Sequence, residues 1–316
     1  LWIVFNGEIF NYIELRQVLL NKGHIFKTQS DTEVIIHLYE EFGPAFLNKL
    51  NGQFAIAIWD KNKEELFLAR DRVGIRPLFH TTIGNTFIFA SEIKSLLEYP
   101  KVEAKICPKA LSEYFTFWTS ISPNTVFENI YELPPGEYMK VNANGKTTTK
   151  YWELPLCKPQ DYKFTKLHEA SNEFDHLFSD AIKLRLRADV QVAAYLSGGI
   201  DSSVTTSFIK DISPDKLRTF SIGFSEKDYD ESSYQDIAAK YFNTKHSSIS
   251  CSPEDIAFNF SDVVWHTEAP ILRTAPAPMG MLAKSVREQN IKVVITGEGA
   301  DELLGGYNIF KETKIR

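Results

Sequence analysis

Residues 193–203 read Ala-Ala-Tyr-Leu-Ser-Gly-Gly-Ile-Asp-Ser-Ser, and they decide the fold of the half of the chain in which they lie. The apolar run 190–196 predicts a buried strand, and the residues from Asp201 to about Lys210 predict a helix. A strand, a glycine-rich turn and a helix start together present backbone N–H groups to a phosphate. A carboxylate in such a turn repels phosphate, so Asp201 indicates a divalent cation between the two. The alternative is a capped helix after a buried strand, with serine and aspartate as ordinary capping residues.

The composition excludes several classes of protein. The 316 residues are 43% hydrophobic and 24% charged, which is typical of a globular chain of about two domains. The net charge of −6 argues against a nucleic-acid surface as the main partner. Three cysteines without a metal-binding spacing indicate a reducing compartment, and we expect a cytoplasmic location. We find no signal peptide and no apolar run of the roughly 18 residues that span a membrane, so we expect no membrane partner.

The second half of the chain alternates between apolar strands and helices. We expect a linker at 156–166 and a long helix at 167–187. The predicted strands are 190–196, 217–224, 244–249 and 291–296. A stiff extended loop is expected at 271–278 and a helix at 279–290. This order predicts a doubly wound parallel sheet, which binds ligands at the carboxyl ends of its strands.

The first half predicts a layered α+β domain in which antiparallel strands dominate. The expected strands are 1–5, 25–28, 52–60, 65–70 and 86–90. The expected helices are 9–21 and the stretch from Ser30 to about Phe42. Turns are expected at Asn6-Gly7-Glu8, and hairpin turns at Pro134-Pro135-Gly136 and Asn144-Gly145.

Three clusters in the first half carry side chains suited to chemistry, and each has an ordinary structural explanation. An amide and a backbone N–H at Asn6-Gly7-Glu8 can form an oxyanion hole, although an Asn-Gly turn explains the dipeptide alone. Asp31 after Ser30 can hold an ammonium group, whereas the spacing alone favours a helix N-cap. The stretch 70–74 is explained as a salt-bridged turn.

A second glycine-rich stretch follows the last predicted strand. Residues 296–307 read Thr-Gly-Glu-Gly-Ala-Asp-Glu-Leu-Leu-Gly-Gly-Tyr and contain the carboxylates Glu298, Asp301 and Glu302. Their position at the carboxyl end of a buried strand weighs against an ordinary acidic loop on the surface. Carboxylates beside ATP phosphates indicate a bound Mg²⁺ or a contact with a cationic group of a substrate.

These motifs resemble two known families. The turn 197–202 resembles the pyrophosphate loop of the ATP-pyrophosphatases, which split ATP between its α and β phosphates, and it is not a Walker loop. Four stretches resemble the glutaminase domain of the class II glutamine amidotransferases, namely 6–11, 30–35, 50–55 and 69–78. The four glutaminase-like stretches come first in the chain, the turn 197–202 follows, and 296–307 comes last. A chain with its motifs in this order resembles the glutamine-hydrolysing asparagine synthetases.

The resemblance implies an architecture and a set of site residues. It implies an N-terminal Ntn-hydrolase-like αββα glutaminase domain over 1–155 and an ATP-pyrophosphatase-type synthetase domain over 167–316. Asn6 and Gly7 would form the oxyanion hole, and Glu8 and Asp31 would hold the head of glutamine. ATP would be bound by Leu196, Ser197, Gly198, Gly199, Asp201, Ser202, Ile222, Thr296 and Gly297. Aspartate would be bound by Glu298, Asp301, Leu272, Arg273 and Thr274. Asp201 and Asp301 would ligate Mg²⁺, and Glu298 would also lie near the attacking ammonia.

The nucleophile of the related glutaminases is an N-terminal cysteine whose own α-amine acts as the base. This sequence begins at Leu1, and Cys107, Cys157 and Cys251 lie in other contexts. Both ends are abrupt, so we expect a piece of a longer chain that lacks glutaminase activity by itself. A burst of glutamate from glutamine would contradict that expectation.

The resemblance implies ATP-dependent amidation of aspartate to asparagine through β-aspartyl-AMP, with ammonia from glutamine. The expected cofactors are ATP and Mg²⁺. The expected partners are small-molecule substrates and no nucleic acid, and a homodimer stays open. Two alternatives remain, namely a related synthetase that acts on another carboxylate, as β-lactam synthetases do, and a non-catalytic nucleotide-binding relative.

Overall fold

The computed structural model describes residues 1–213 and 217–315, which form two compact units. Unit 1 comprises Leu1–Tyr162 together with Thr267–Leu272. Unit 2 comprises Lys163–His266 and the chain from Arg273 onward. Among the described helices, none has both the length and the apolar character that a membrane crossing requires.

The bounds of the elements are as follows. The strands are β1 (Trp2–Ile9), β2 (Gly52–Asp60), β3 (Glu65–Arg70), β4 (Phe79–Ile83), β5 (Thr86–Ala90), β6 (Tyr131–Glu132), β7 (Glu137–Asn142), β8 (Gly145–Lys150), β9 (Val192–Tyr195), β10 (Arg218–Phe224), β11 (Lys245–Cys251) and β12 (Val293–Ile295). The α-helices are α1 (Tyr12–Asn21), α2 (Asp31–Phe42), α3 (Ile93–Leu97), α4 (Pro108–Phe117), α5 (Leu167–Arg185), α6 (Ile200–Ile212), α7 (Ser232–Tyr241), α8 (Pro253–Thr267), α9 (Pro276–Glu288), α10 (Ala300–Leu304) and α11 (Asn308–Ile315). Short 3₁₀ helices cover Gly43–Lys49 and Pro159–Asp161.

Unit 1 places two antiparallel sheets between layers of helix. The larger sheet has the order β1-β2-β3-β7-β8 and the smaller sheet has the order β5-β4-β6. Alternate residues of β2 face opposite sides, because side chains alternate along a strand. Ile56 packs with Leu19 and Leu38 of the helices α1 and α2, whereas Ala55 faces the core shared with Phe89 of the smaller sheet. Helix α3 covers the outer face of the smaller sheet. This αββα order confirms the architecture that the resemblance implied.

The turn predicted at Asn6-Gly7-Glu8 is wrong. Strand β1 continues through these residues to Ile9 and pairs antiparallel with β2, with Gly7 opposite Phe54. A Cβ at Gly7 would overlap the carbonyl oxygen of Gln53, so glycine is needed for the close approach of the two strands rather than for a turn. The helix that follows begins at Tyr12 and not at Ile9.

The strand predicted over 25–28 is also wrong, since the described structure has irregular backbone there. The N–H groups of Lys27 and Thr28 donate to the Glu33 carboxylate at 2.7 and 2.6 Å, and the Thr28 carbonyl accepts from Arg16 Nη1 at 2.6 Å. Side chains therefore satisfy three of the backbone groups that a strand would pair, those of Lys27 and Thr28.

The hairpin predicted at Pro134-Pro135-Gly136 is wrong because the strands on its two sides belong to different sheets, β6 to the smaller and β7 to the larger. The hairpin at Asn144-Gly145 is confirmed, since it joins β7 to β8. Helix α4 was not anticipated, and its local signal is Pro108 in the first turn.

Unit 2 contains a parallel sheet of the order β11-β10-β9-β12. Ala194 of β9 faces a core with Ile182 of α5 and Ile209 of α6. Its neighbour Ala193 faces a second core with Leu282 of α9. Helices therefore cover both faces of the sheet, which confirms the doubly wound arrangement. The carboxyl ends of β9, β10 and β12 lie at the same edge of the sheet, where ligands bind in such folds.

The extended loop predicted over 271–278 ends earlier than expected. Helix α9 begins at Pro276 and includes Pro278 in its first turn. Proline is tolerated there because the first N–H groups of a helix have no partner within the helix. The expected start at Met279 was wrong because it treated both prolines as helix breakers.

The segment Thr267–Leu272 belongs to unit 1 although it lies late in the sequence, and no local pattern indicates this. The Glu268 carboxylate accepts the backbone N–H groups of Ile93 at 2.6 Å and Lys94 at 2.7 Å, at the start of α3. Lys94 Nζ lies 3.2 Å from the same carboxylate. Glu268 therefore satisfies two N–H groups that the helix itself leaves unpaired.

His80 of β4 is a buried imidazole that is neutral in the folded chain. It is 3% exposed, it stacks on Phe87, and its Nδ1 has no hydrogen-bond partner. Burial, aided by the charge of Lys146, lowers the pKa of His80 from 6.5 to about 4. The unfolded chain therefore takes up a proton at a higher pH than the folded chain. The stability that His80 contributes is complete above pH 6.5. It is lost progressively as the pH falls from 6.5 to about 4.

The variant His80→Phe should remove this pH dependence, because phenylalanine keeps the ring and cannot bind a proton. Between pH 6.5 and 4 the wild type should lose up to roughly 3 kcal/mol of unfolding free energy relative to the variant. Urea denaturation of both proteins at a series of pH values measures the difference. Parallel stability curves for the two proteins would contradict a neutral, buried His80.

Candidate functional site

A cavity of about 340 Å³ opens at the carboxyl edge of the parallel sheet in unit 2. It brings together seven of the residues predicted to bind ATP, namely Leu196, Ser197, Asp201, Ser202, Ile222, Thr296 and Gly297. These residues follow β9 and β12 or lie on β10, so neighbouring parallel strands deliver them to one place. Gly198 and Gly199 lie in the loop between β9 and α6 and are not among the residues that line the cavity.

Two serine hydroxyls shape the loop after β9. Ser197 Oγ and Ser202 Oγ lie 2.9 Å apart, and the Ser197 N–H donates to Ser202 Oγ at 3.2 Å. The Gly199 N–H donates to Ser197 Oγ at 3.3 Å. The loop thus folds back on the first turn of α6, where the positive end of a helix favours an anion.

Gly198 is required by its conformation and by its surroundings. Its φ is +83°, in the left-handed region that favours glycine. A Cβ there would lie 2.8 Å from the carbonyl carbon of Tyr234 and 2.9 Å from the nitrogen of Gln235, in the first turn of α7. The backbone of the loop therefore packs directly on the backbone of a second helix.

The charged side chains that line the cavity are all acidic. Asp201 lines it from the first turn of α6 and Glu231 from the residue before α7, and Glu298, Asp301 and Glu302 line it from the stretch after β12. Neither lysine nor arginine occurs among the described lining residues. The hydroxyl of Tyr307 donates to Glu302 at 3.0 Å, and this bond together with the nearby carboxylates raises the pKa of Tyr307. The cavity thus concentrates negative charge.

A buried polar chain that the motifs did not indicate holds Ile222 in place. Gln235 Nε2 donates to the carbonyl of Ile222 at 2.9 Å, and Ser221 Oγ donates to Gln235 Oε1 at 2.7 Å. His246 Nε2 lies 3.0 Å from Ser221 Oγ, and burial lowers the pKa of His246. Gln235 reaches Ile222 from another element, so spacing along the sequence carries no signal of the contact.

The residues predicted to bind aspartate do not all line one cavity. Glu298 and Asp301 line the cavity of about 340 Å³. Thr274 lines a neighbouring cavity of about 480 Å³, whose walls also include Phe224 and Tyr229 of the first cavity. Arg273 lines neither of these two cavities. Leu272 belongs to unit 1.

The residues predicted to bind glutamine lie along the end of β1 in unit 1. Asn6 Nδ2 donates to Ser91 Oγ at 3.1 Å, and Gly7 and Glu8 follow in the same strand. Asp31 Oδ2, at the start of α2, accepts the N–H of Ile9 at 3.0 Å. This bond ties Asp31 to the strand that carries the other three residues.

The conspicuous pair Arg70-Asp71 has a structural role. Asp71 is 1% exposed, and its carboxylate accepts four backbone N–H groups, those of Phe54, Val73, Ile75 and Arg76. Arg70 pairs with Glu132 at 2.9 Å rather than with Asp71. The predicted turn is therefore present, but its order comes from backbone hydrogen bonds and from an ion pair to a distant strand.

Comparison with known proteins defines the class of the chain. Residues 1–152 match the family model of a glutamine amidotransferase domain, and residues 173–316 match that of asparagine synthase. The glutamine-hydrolyzing asparagine synthetase 1 of Bacillus subtilis is 38% identical over 311 residues, which cover 98% of this chain and 48% of that protein. The amidase chyE of Penicillium rubens is 34% identical over 333 residues, covering 98% of this chain and 47% of that protein.

The chain is thus a glutamine amidotransferase domain followed by an asparagine synthase domain. It belongs to the family of the glutamine-hydrolysing asparagine synthetases. The glutamine-hydrolyzing asparagine synthetase 3 of Bacillus subtilis is 33% identical over 329 residues, covering 99% of this chain and 53% of that protein. The chain therefore spans about half the length of these relatives.

Solved structures resemble the chain only distantly. A glutamine phosphoribosylpyrophosphate amidotransferase of B. subtilis, in complex with ADP and GMP, has a TM-score of 0.35 at 19% identity and covers 78% of this chain and 45% of its own. An NMN synthetase from Francisella tularensis has a TM-score of 0.31 at 20% identity and covers 46% of this chain and 60% of its own. These TM-scores are too low to establish a shared fold. The architecture is therefore assigned from the layers and the strand order of the chain itself.

The two glycines of the loop provide a test of its geometry. Gly198→Ala should lower the free energy of unfolding by about 1–3 kcal/mol, because alanine disfavours this φ and meets the backbone of α7. Gly199→Ala is the matched control, since its φ is −72° and a Cβ would meet only Ser197 Oγ, at 3.3 Å. Denaturant unfolding measures the stability of both variants. Equal losses of stability in the two variants would contradict the packing of this loop on α7.

Proposed function

We propose that this protein amidates aspartate to asparagine at the expense of ATP, with ammonia taken from glutamine. The observation that carries the proposal is the cavity of unit 2. The serines of the turn 197–202 and the carboxylates of the stretch 296–307 line it together. The family supports the choice of substrates, because its members are named as glutamine-hydrolyzing asparagine synthetases.

The chemistry requires ATP because ammonia cannot displace oxide from a carboxylate. In the proposed first step, an oxygen of the aspartate β-carboxylate attacks the α-phosphorus of ATP, and pyrophosphate leaves. In the second step, ammonia attacks the acyl carbon of the β-aspartyl-AMP, loses a proton, and AMP leaves with the oxygen that came from aspartate. The products are asparagine, AMP and pyrophosphate, with glutamate from the glutamine that supplies the ammonia.

The turn after β9 would bind the departing pyrophosphate. Ser197 and Ser202 would supply hydroxyl groups that bind each other in the free cavity, and Gly198 and Gly199 would let the backbone approach the phosphates. The adenosine would lie against Leu196, Ile222, Thr296 and Gly297, which line the same cavity.

Asp201 and Asp301 would hold Mg²⁺. Carboxylate oxygens are the ligands that Mg²⁺ prefers, and the described lining offers these without a lysine or arginine to neutralise ATP. When bound, the ion would supply positive charge that stabilises the pyrophosphate as it leaves. Glu298, from the same loop as Asp301, would lie beside the acyl carbon and the attacking ammonia.

The proposed aspartate site combines Glu298 and Asp301 with Thr274, because the cavity of Thr274 shares walls with that of the other two. Leu272 and Arg273 stay in the proposal as predictions from the family pattern.

In unit 1, Asn6 and Gly7 would donate to the oxyanion that forms when glutamine is attacked, and Glu8 and Asp31 would hold its α-amino group. Asn6 Nδ2 carries two N–H bonds and donates one to Ser91, which fixes the direction of the amide. We propose domain limits of 1–155 for the glutaminase and 167–316 for the synthetase, with 156–166 as the linker.

Exchange of labelled pyrophosphate into ATP tests the synthetase half without glutamine. The protein should catalyse exchange only when aspartate and Mg²⁺ are both present. Asp201→Asn and Asp301→Asn should each slow it on the order of 10²-fold, because each removes charge from the proposed cation site. Asp262→Asn is the matched control, since Asp262 is an exposed residue of α8 that lines neither cavity, and it should leave the rate unchanged.

Three results would contradict the proposal. Exchange that depends on another carboxylic acid would favour a related synthetase. ATP binding without exchange would favour a non-catalytic nucleotide-binding protein. An equal effect of all three substitutions would show that the exchange rate does not depend on the carboxylates of the cavity.

A further inference from the structure

A cluster of metal-ligating side chains lies outside the residues discussed so far. His24 follows α1, and His37 and Glu40 lie on α2, all within unit 1. One ligand atom from each of these three residues lies within 4.8 Å of the other two, and no other such group of His, Cys, Asp or Glu occurs among the described residues. The mixture of two imidazoles and a carboxylate distinguishes the cluster from a solvated acidic face.

The separations fit a tetrahedral metal. Two ligand atoms bound to zinc at about 2.05 Å with tetrahedral angles lie about 3.3 Å apart. His24 Nδ1 and His37 Nδ1 are 3.2 Å apart, and Glu40 Oε2 lies 2.8 Å from the His37 atom and 3.9 Å from the His24 atom. The three separations bracket the expected value, so small side-chain rotations would place all three atoms on one ion.

The surroundings of the imidazoles also suit a metal. A metal-bound histidine usually donates its other ring N–H to a carboxylate, which fixes the ring. Glu41 Oε2 lies 3.3 Å from His24 Nε2, within hydrogen-bond distance, whereas Glu33 Oε1 lies 3.9 Å from His37 Nε2, as a nearby charge. The ring of Phe26 packs edge-on against His37.

The two histidines of the cluster are mostly buried, and the glutamate is exposed. The side chains of His24 and His37 are 16% and 18% exposed, whereas that of Glu40 is 45% exposed. The facing charges are those of Glu33, Glu40 and Glu41 together with Lys22, whose Nζ lies 2.6 Å from Glu41 Oε1. Lys22 therefore pairs with the Glu41 carboxylate, whereas the Glu40 carboxylate lies beside the two histidines. The exposed side at Glu40 gives an ion a path from solvent and room for a water as the fourth ligand.

We propose that His24, His37 and Glu40 bind a divalent transition-metal ion, with zinc as the best match to two imidazoles and one carboxylate. The site takes a different class of ion from the carboxylates of unit 2, because imidazole nitrogen suits zinc whereas Mg²⁺ prefers oxygen. A bound ion joins the loop that carries His24 to the middle of α2. Helix α2 begins at Asp31, so the ion also braces the helix that carries a proposed glutamine ligand.

The test uses the protein after dialysis against a chelator, with Mg²⁺ in excess throughout. Titration with Zn²⁺ against a chromophoric chelator should show one site per chain, and Co²⁺ should give the intense visible absorption of a tetrahedral complex. Zn²⁺ should also raise the midpoint of thermal unfolding, because it binds the folded chain.

Variants assign the ligands. His37→Gln and Glu40→Gln should each weaken Zn²⁺ binding by about 10-fold or more. Glu40 is largely exposed, so its variant keeps the test valid if the loss of a histidine impairs folding. The control is His176→Gln, an exposed histidine of α5, which should bind as the wild type does. No uptake of Zn²⁺, an octahedral Co²⁺ spectrum, or equal affinity in all three variants would overturn the proposal.

Discussion

The close approach of Gly297 to Asp201 is the contact on which the proposed nucleotide site depends. The position of a Cβ on Gly297 lies 3.0 Å from Asp201 Cβ and 3.1 Å from the nitrogen of Ser202, so the loop after β12 touches the first turn of α6, which follows β9. These strands are neighbours in the parallel sheet. Their pairing therefore brings the serine-glycine turn and the acidic loop to one cavity, although about a hundred residues of sequence lie between them.

The sequence predicted most of unit 2 because its signals are local. Buried parallel strands are short apolar runs, and the turn after β9 combines glycine and serine at fixed positions, so both can be recognised without tertiary information. The support from Gln235 to Ile222 and the contact of Glu268 with α3 could not be predicted. Glu268 and α3 are about 175 residues apart, whereas Gln235 and Ile222 lie on consecutive elements, and in both cases the contact is made by side chains without an unusual local pattern.

Unit 1 shows the opposite case, in which tertiary pairing overrides local preference. The dipeptide Asn6-Gly7 favours a turn, yet the antiparallel register with β2 keeps it extended and uses the glycine for room beside Gln53. Residues 25–28 have a strand-like composition, yet Glu33 accepts the N–H groups of Lys27 and Thr28. The residues predicted to bind glutamine lie close together, since Asp31 is tied to the end of the strand that carries Asn6, and their roles stay predictions.

We propose that the cavity of unit 2 joins a carboxylate to the α-phosphate of ATP. The most direct test is to supply aspartate labelled with ¹⁸O in its β-carboxylate, together with ATP, Mg²⁺ and ammonia, and to analyse the nucleotide product by mass spectrometry. We expect one ¹⁸O atom in each molecule of AMP, because the carboxylate oxygen bonds to the α-phosphorus and leaves with it. Label in inorganic phosphate, or AMP without label, would contradict it.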